Sequence, residues 1–378
     1  MRIESIQYTE FKDEPREWQL ADTTFDGINL IVGKNASGKS RLLNVISGLA
    51  KMLRGEIKGV FESGQYLTSF SSGEHRYKYE IEQKNKKIER EVFSSDDQIL
   101  LDRSKNGIGK IWYAEKKEKI DFETPPNFLA AQARRDNIQH PFFEDLHTWA
   151  RNLRHIQFGT PLGRDVLYMI TQLTPSTDKE SEVTEPSEVS KLYITGFEAF
   201  GKEFDESILR DLAALGYECV DVGVEHLKIN NLQGPPVAML FLQEKDLQIK
   251  TTQITMSQGM FRALSVVIQL NYCILRGTQR TPLIDDIGEG LDFRRTQSFI
   301  ALLIERALKN NIQLIMTTND RFVMNGVPLI YWGVLTRRGN HVEIANIRNS
   351  EKIFREFEEL GLSNFDFFST NFFEEGRK

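Results

Sequence analysis

At 378 residues, with 40% hydrophobic and 27% charged side chains, the chain has the composition of a globular protein long enough for more than one core. No apolar run reaches the ~18 residues of a membrane helix, and the first residues lack the apolar stretch of a secretory leader, so a cytoplasmic location without a membrane partner is expected. A formal charge of −6 excludes a surface that is a nucleic-acid footprint throughout, though not a local basic stripe.

In chain order, Met1–Phe11 alternates as a strand does, and Gly27-Ile-Asn-Leu-Ile-Val32 is a short apolar run of the buried kind. From Ser40 to Leu53 the apolar residues Leu42, Leu43, Val45, Ile46, Leu49 and Leu53 fall at helical spacing. Residues 56–122 alternate in short segments punctuated by Gly64 and Ser71-Ser-Gly73, which predicts an antiparallel β layer. Its basic clusters, Lys84, Lys86, Lys87 and Arg90, then Lys116, Lys117 and Lys119, are interleaved with acids and read as solvated strand faces. Residues 139–173 read as helical, and Thr174–Pro186 is too polar to order itself, predicting a mobile loop over 174–190. A smaller α/β piece covers about 190–232. From Val237 strand and helix alternate again, and no sustained heptads indicate a coiled-coil arm. Cys219 and Cys273 form no CxxC pair and read as buried small hydrophobes.

The segment Gly33-Lys-Asn-Ala-Ser-Gly-Lys-Ser40 fits GxxxxGK[ST], with a strand before it and a helix after it. Glycines at positions 33 and 38 let the amides of Lys34, Asn35, Ala36 and Ser37 curl around a phosphate. Lys39 then reaches the terminal phosphates, the Ser40 hydroxyl ligates Mg²⁺, and Arg41 follows in the first helical turn. A metal so held needs a carboxylate, and Pro282-Leu-Ile-Asp285-Asp286 ends an apolar run with two acids. Asp285 takes the metal side. Asp286 either orients the attacking water or caps the following helix.

At this point the sequence resembles ABC-type ATPases. Asp285-Asp-Ile-Gly-Glu-Gly-Leu-Asp292 is similar to the family's Walker B and D-loop segment, and Met256-Ser257-Gln258-Gly259-Met260-Phe261-Arg262 to its signature. Gln313-Leu-Ile-Met-Thr-Thr-Asn319-Asp320 resembles the switch strand, with Asn319 where the family has histidine. The resemblance implies an α/β fold: a P-loop head with a mixed β-sheet flanked by helices, an antiparallel β subdomain and a helical insertion lobe. Along the chain this divides into 1–135 as the first half of the head, 136–235 as the lobe, and 236–378 as the second half.

It further implies ATP and Mg²⁺ as ligands, with Ser257, Gln258 and Gly259 capping the nucleotide of a second copy in a head-to-head homodimer. Gln132, in Leu129-Ala-Ala-Gln-Ala-Arg-Arg-Asp136, is a candidate for the family's metal-side glutamine. Arg134 and Arg135 either meet phosphate or DNA or pair with a nearby acid, and Arg294 and Arg295 either face the second copy or are ordinary surface charge. The aromatic tail Gly361-Leu-Ser-Asn-Phe-Asp-Phe-Phe368 is expected to dock on the core.

The family usually has glutamate at the position of Asp286, so the carboxylate is withdrawn by one methylene. Asn319 removes the ring, and slow hydrolysis is expected. Glu289 offers a longer carboxylate but lies inside the D-loop segment. Within the family the chain looks most like the soluble RecF/SMC/OLD-like group, many of which serve DNA maintenance or antiphage defence. That implies a separately encoded effector and a DNA-linked or defence task. The alternative is a nucleotide-gated scaffold that regulates a toxic partner with little hydrolysis.

Overall fold

The computed structural model describes residues 1–169, 185–227, 237–278 and 280–377. Most of the loop expected at 174–190 therefore lies outside the described residues. The chain divides into two compact units, one of Met1–Leu153, Gln313–Asn319 and Pro328–Lys378, the other of Arg154–Ile312 and Asp320–Val327. The division expected from sequence cuts the chain differently, because its last segment, 236–378, contributes to both.

The first unit begins with β1 (Arg2–Glu10), β2 (Trp18–Thr24) and β3 (Ile28–Val32), followed by α1 (Lys39–Arg54). β3 is buried along its whole length. That is the position its short apolar run, interrupted only by Asn29, predicts, since both faces of a central strand are covered. α1 ends at Gly55, whose left-handed backbone (φ 73°) lets its N–H reach the Lys51 and Met52 carbonyls.

The antiparallel layer is a meander of β4 (Ser63–Ser72), β5 (His75–Lys84), β6 (Lys87–Ser95), β7 (Gln98–Ser104), β8 (Ile108–Tyr113) and β9 (Glu118–Glu123). Two of its turns are two-residue loops with positive φ at both positions, Asn85-Lys86 and Asp96-Asp97. This backbone matches strand twist and suits short Asn and Asp side chains. One face carries the aromatic core, with Phe70 edge-on to Trp149 at 4.8 Å. Trp149 belongs to α3 (Glu144–Asn152), which follows the short α2 (Ala130–Ala133). The other face pairs Lys78 with Glu80, Lys105 with Glu89 and Arg90 with Asp102. It is a mixed-charge solvated surface, as the interleaved sequence predicts.

A buried ion pair fixes the segment after β9. Arg103 and Glu91, both with fully buried side chains, pair at 3.1 Å. Arg103 also donates to the carbonyls of Thr124, Pro125 and Phe128, while Glu91 accepts from Tyr79 Oη and from the N–H groups of Ala130 and Ala131. These extra partners offset the desolvation of two charges.

The second unit contains β10 (Leu153–Gln157), β11 (Tyr168–Met169), α4 (Val189–Phe200), α5 (Lys202–Ala214), β12 (Cys219–Leu227), β13 (Val237–Glu244), β14 (Thr251–Thr252), α6 (Gln258–Leu275), β15 (Thr281–Asp285), α7 (Phe293–Lys309) and α8 (Arg321–Gly326). β10 lies beside β15, and β11, β13, β12 and β14 make a second, antiparallel sheet. Of the helical reading of 139–173, residues 141–152 are helical, and 170–173 lie outside the described residues. Beyond Asn152, Leu153–Gln157 is a strand followed by turns at Gly159, Pro161 and Gly163, because pairing with β15 and three helix-breaking residues outweigh local periodicity. Cys273 is buried as expected, but Cys219 is only half-buried, at the start of β12; burial and the nearby Glu244 still raise its thiol pKa to about 11.

The chain returns to the first unit with β16 (Leu314–Thr318), β17 (Trp332–Arg338), β18 (His341–Asn346), α9 (Ile347–Glu359) and α10 (Asn364–Ser369). The sheet order there is β16-β3-β17-β18-β2-β1, continuing into the meander. β16 and β17 run parallel to β3, and β18 runs parallel to β2. The sheet is thus mixed. The aromatic tail docks, with Phe367 fully buried against Phe354 at 4.7 Å and Phe357 at 5.0 Å. Among the described residues no helix is long and apolar enough to cross a membrane.

Two outcomes are expected. Arg103→Ala leaves Glu91 buried without its counter-charge and should cost about 3–5 kcal/mol in chemical denaturation. His147, 4% exposed and bonded to the Ala131 carbonyl, has its pKa lowered chiefly by burial. The unfolded chain therefore takes up the proton first, and stability is lost as pH falls below about 6.5. A melting temperature that falls on acidification, with a shallower slope in His147→Gln, is the expected result.

Candidate functional site

In the first unit, residues 33–38 turn from β3 into α1. A Cβ on Gly33 would lie 2.7 Å from the Leu335 carbonyl oxygen and 2.7 Å from Ser37 Oγ, so only glycine fits between β17 and the loop. Ala36 (φ 60°) and Gly38 (φ 115°) take left-handed backbone, curling the chain tightly enough to gather its amides. No side chain caps the start of α1 and no acid stands in its first turn. The first N–H groups of this helix, together with its dipole, are a seat for an anion.

Lys39, 6% exposed, donates from Nζ to the carbonyls of Gly33 at 2.9 Å and Lys34 at 3.3 Å, so the ammonium is held against its own loop. Ser40 follows in the first turn of α1. In β16, Thr318 stands opposite Val32 in parallel register, which brings the exposed Asn319 level with the start of the loop. Arg41 pairs with Glu10 at 2.7 Å and lies 4.3 Å over the Trp18 ring, so two groups fix its direction.

Gln132 is not part of this cluster. Its side chain lies beside Gly55, where a Cβ would be 3.0 Å from its Nε2. Gly55 ends α1, and a rise of ~1.5 Å per residue places that end about 22 Å from Ser40. A glutamine side chain does not span that distance, which removes Gln132 from the metal ligands. Arg135 forms a two-point pair with Glu144 at 2.9 and 3.0 Å, and Arg134 donates to the Glu123 carbonyl. Arg135 thus has the acid partner expected as its alternative, whereas Arg134 bonds a backbone carbonyl rather than a carboxylate.

In the second unit, Asp285 ends β15 and is 8% exposed, and Asp286 begins the turn with φ 54° and is half-buried. Aspartate tolerates this left-handed backbone better than most residues. The neighbouring strand β10 ends at Gln157, and the next N–H, of Phe158, donates to the Asp285 carbonyl at 2.9 Å. An exposed glutamine thus ends the strand beside the two acids. Sequence reasoning missed it; the available signal was the apolar spacing of Leu153 and Ile156 running into Gln157-Phe-Gly159.

The signature segment opens α6. Ser257 caps it by accepting from the Met260 N–H at 3.2 Å, and with Gln258 it is exposed, while Gly259 onward is buried. Arg262, 4% exposed, donates to the carbonyls of Gly159 at 2.6 Å, Thr160 at 3.0 Å and Glu289 at 2.8 Å. One guanidinium therefore joins the signature helix, the turn after Gln157 and the segment after Asp286. A Cβ on Gly259 would be 2.3 Å from the Gly290 carbonyl oxygen, a second close approach between the same elements. Asp292 caps α7 through the Arg295 N–H, and that bond, ahead of the guanidinium, holds its carboxyl pKa down. Arg295 folds back on Asp292 at 2.9 Å and over the Tyr217 ring at 4.4 Å. Among the described residues no group of three or more His, Cys, Asp or Glu could hold a metal ion. Few protein ligands are what Mg²⁺ requires, since it keeps most of its waters.

No protein-family model and no curated protein matches the sequence. Among solved structures, an SMC head bound to the C-winged helix domain of ScpA aligns with a TM-score of 0.53 and 13% identity, covering 91% of this chain and 97% of that one. The SMC head domain from Thermotoga maritima aligns at 0.47 and 14%, over 92% and 99% of the two chains. The SMC head from Pyrococcus furiosus, with an extended coiled coil and bound to the C-terminal domain of ScpA, aligns at 0.47 and 12%, over 94% and 99%. On the first of these the chain has the fold of an SMC head, the ABC-type ATPase fold, with its large mixed sheet and flanking helices.

Gly259→Ala tests the close packing of the signature helix. Both neighbouring groups are backbone, so the helix must shift, and a destabilisation of about 1–3 kcal/mol in urea unfolding is expected.

Proposed function

We propose that this chain is an ABC-type ATPase head that binds Mg-ATP and hydrolyses it slowly as a homodimer. The observation that carries the reading is the uncapped start of α1 behind a glycine loop, with the Lys39 ammonium held at that loop. ATP supplies three phosphates for these donors. The loop amides and Lys39 bind the phosphates, Ser40 and Asp285 are the metal's protein ligands, and Asp286 orients the attacking water and takes its proton. Asn319 contributes a hydrogen bond to the terminal phosphate. In place of Gln132, Gln157 takes the metal-side role, because it ends the strand beside Asp285.

Dimerisation follows from the signature. Ser257 and Gln258 are exposed at the start of an otherwise buried helix, available to the nucleotide of a second copy. Through Arg262, a change at Gln157 or Asp286 is passed to that helix, which links nucleotide state to the association of heads. The SMC head aligned at a TM-score of 0.53 is bound to the C-winged helix domain of ScpA, and a separately encoded effector is proposed for this chain by analogy. A DNA-linked or antiphage-defence task remains part of the proposal, with no support from the mixed-charge face of the β layer. The shortened Asp286 and the exposed Asn319 favour one second reading, a nucleotide-gated scaffold whose bound state is the signal.

Steady-state turnover of the purified chain distinguishes these. Lys39→Ala and Asp286→Ala should each lower turnover about 100-fold or more. Gln157→Ala should lower it about 10–100-fold with ATP still bound. Equal rates in all proteins would remove the hydrolase reading, and ATP-driven dimerisation without turnover would leave the scaffold.

A further inference from the structure

The phosphate loop borders a cleft. A cleft of about 370 Å³ is lined by Lys34 and Ser37 of the loop, Arg337 of β17, and Phe368, Phe373 and Glu374 of the C-terminal tail. Its volume is that of a small-ligand site. The lining includes the Lys34–Ser37 stretch, whose amides are assigned to the phosphates, but not Lys39 or Ser40, whose side chains are assigned to the triphosphate and metal.

Its chemistry converges. Neither Lys34 nor Arg337 has a carboxylate partner among the described residues. Arg337 is held by the Gly339 carbonyl at 2.8 Å and the Ala36 carbonyl at 3.4 Å, leaving most of its five N–H donors for another acceptor. Ser37 is 6% exposed, and its Oγ has no hydrogen-bond partner among the described residues. Phe368 and Phe373 lie parallel, 6.2 Å apart with 10° between their planes, and Phe368 is half-exposed. Glu374 adds an exposed acceptor, which disfavours a bare anion and suits a ring bearing N–H donors.

We propose that this cleft is an effector site for a mononucleotide-class ligand: a heteroaromatic base on Phe368 with its N–H groups toward Glu374, and a phosphate toward Lys34 and Arg337. Lys34–Ser37 belong to both cleft and loop, so occupancy changes the loop's affinity for ATP, and the reverse by linkage. The proposal needs ATP to bind at the loop but does not need hydrolysis.

Calorimetric titration of the full chain with AMP tests it, with inorganic phosphate as the second probe. One AMP per chain is expected, with a Kd on the order of 10 µM. Phe368→Ala and Arg337→Ala should each weaken it about tenfold, and Lys39→Ala should change it less than about threefold. Phe368→Ala should still bind ATP with wild-type affinity, which shows that it folds. Absence of AMP binding overturns the proposal, as does AMP binding that is lost in Lys39→Ala but intact in the cleft variants. Phosphate binding as tightly as AMP overturns the assignment to a base, and an ATP affinity unmoved by saturating AMP overturns the coupling. Failure of the ATPase reading shows in turnover alone and leaves the AMP titration as it stands.

Discussion

A strand buried on both faces and followed by a helix without a cap sets the terms for this molecule. β3 is covered along its whole length, so its end is held in place by β16 and β17 on either side. The loop beyond it has little room: Gly33 passes within contact of the Leu335 carbonyl, and Gly38 needs a backbone other residues rarely adopt. The result is a helix N-terminus without a side-chain cap and a lysine turned against the loop. A helix N-terminus of this kind favours an anion.

The second unit is organised around a different constraint, the carbonyl-binding geometry of one arginine. Arg262 is nearly inaccessible and reaches three backbone carbonyls in two loops that flank the signature helix. Guanidinium geometry is rigid, so these loops keep a fixed relation to α6. The close approach of Gly259 to Gly290 adds a steric lock to the electrostatic one. Together they bind Gln157, Asp286 and the start of α6 into one mechanical body.

The antiparallel layer shows how far local pattern carries. Its alternating strands and its mixed-charge face were legible, because period-two alternation acts over a few residues; the Asn85-Lys86 and Asp96-Asp97 turns were not singled out, and Gly64, read as punctuation, lies inside β4. What holds the following segment to the layer was not legible. Glu91 and Arg103 lie on adjacent strands and collect partners from Tyr79 and from residues 124–131, a set without a sequence signature.

The sequence by itself determined the phosphate loop with its flanking strand and helix, the order of the later segments, and the α/β character of the fold, since each depends on neighbouring residues and their periodicity. Only the tertiary structure decided which glutamine stands near the acids. Gln132 and Gln157 both follow apolar residues, but the first lies at the far end of α1 and the second at the end of a strand paired with β15. It also decided that Arg135 is spent on Glu144, and that the aromatic tail shares a cleft with the phosphate loop. The physical reason is the same in each case: these relations are contacts between distant segments, set by which strands pair and which faces are buried, and no local pattern encodes them.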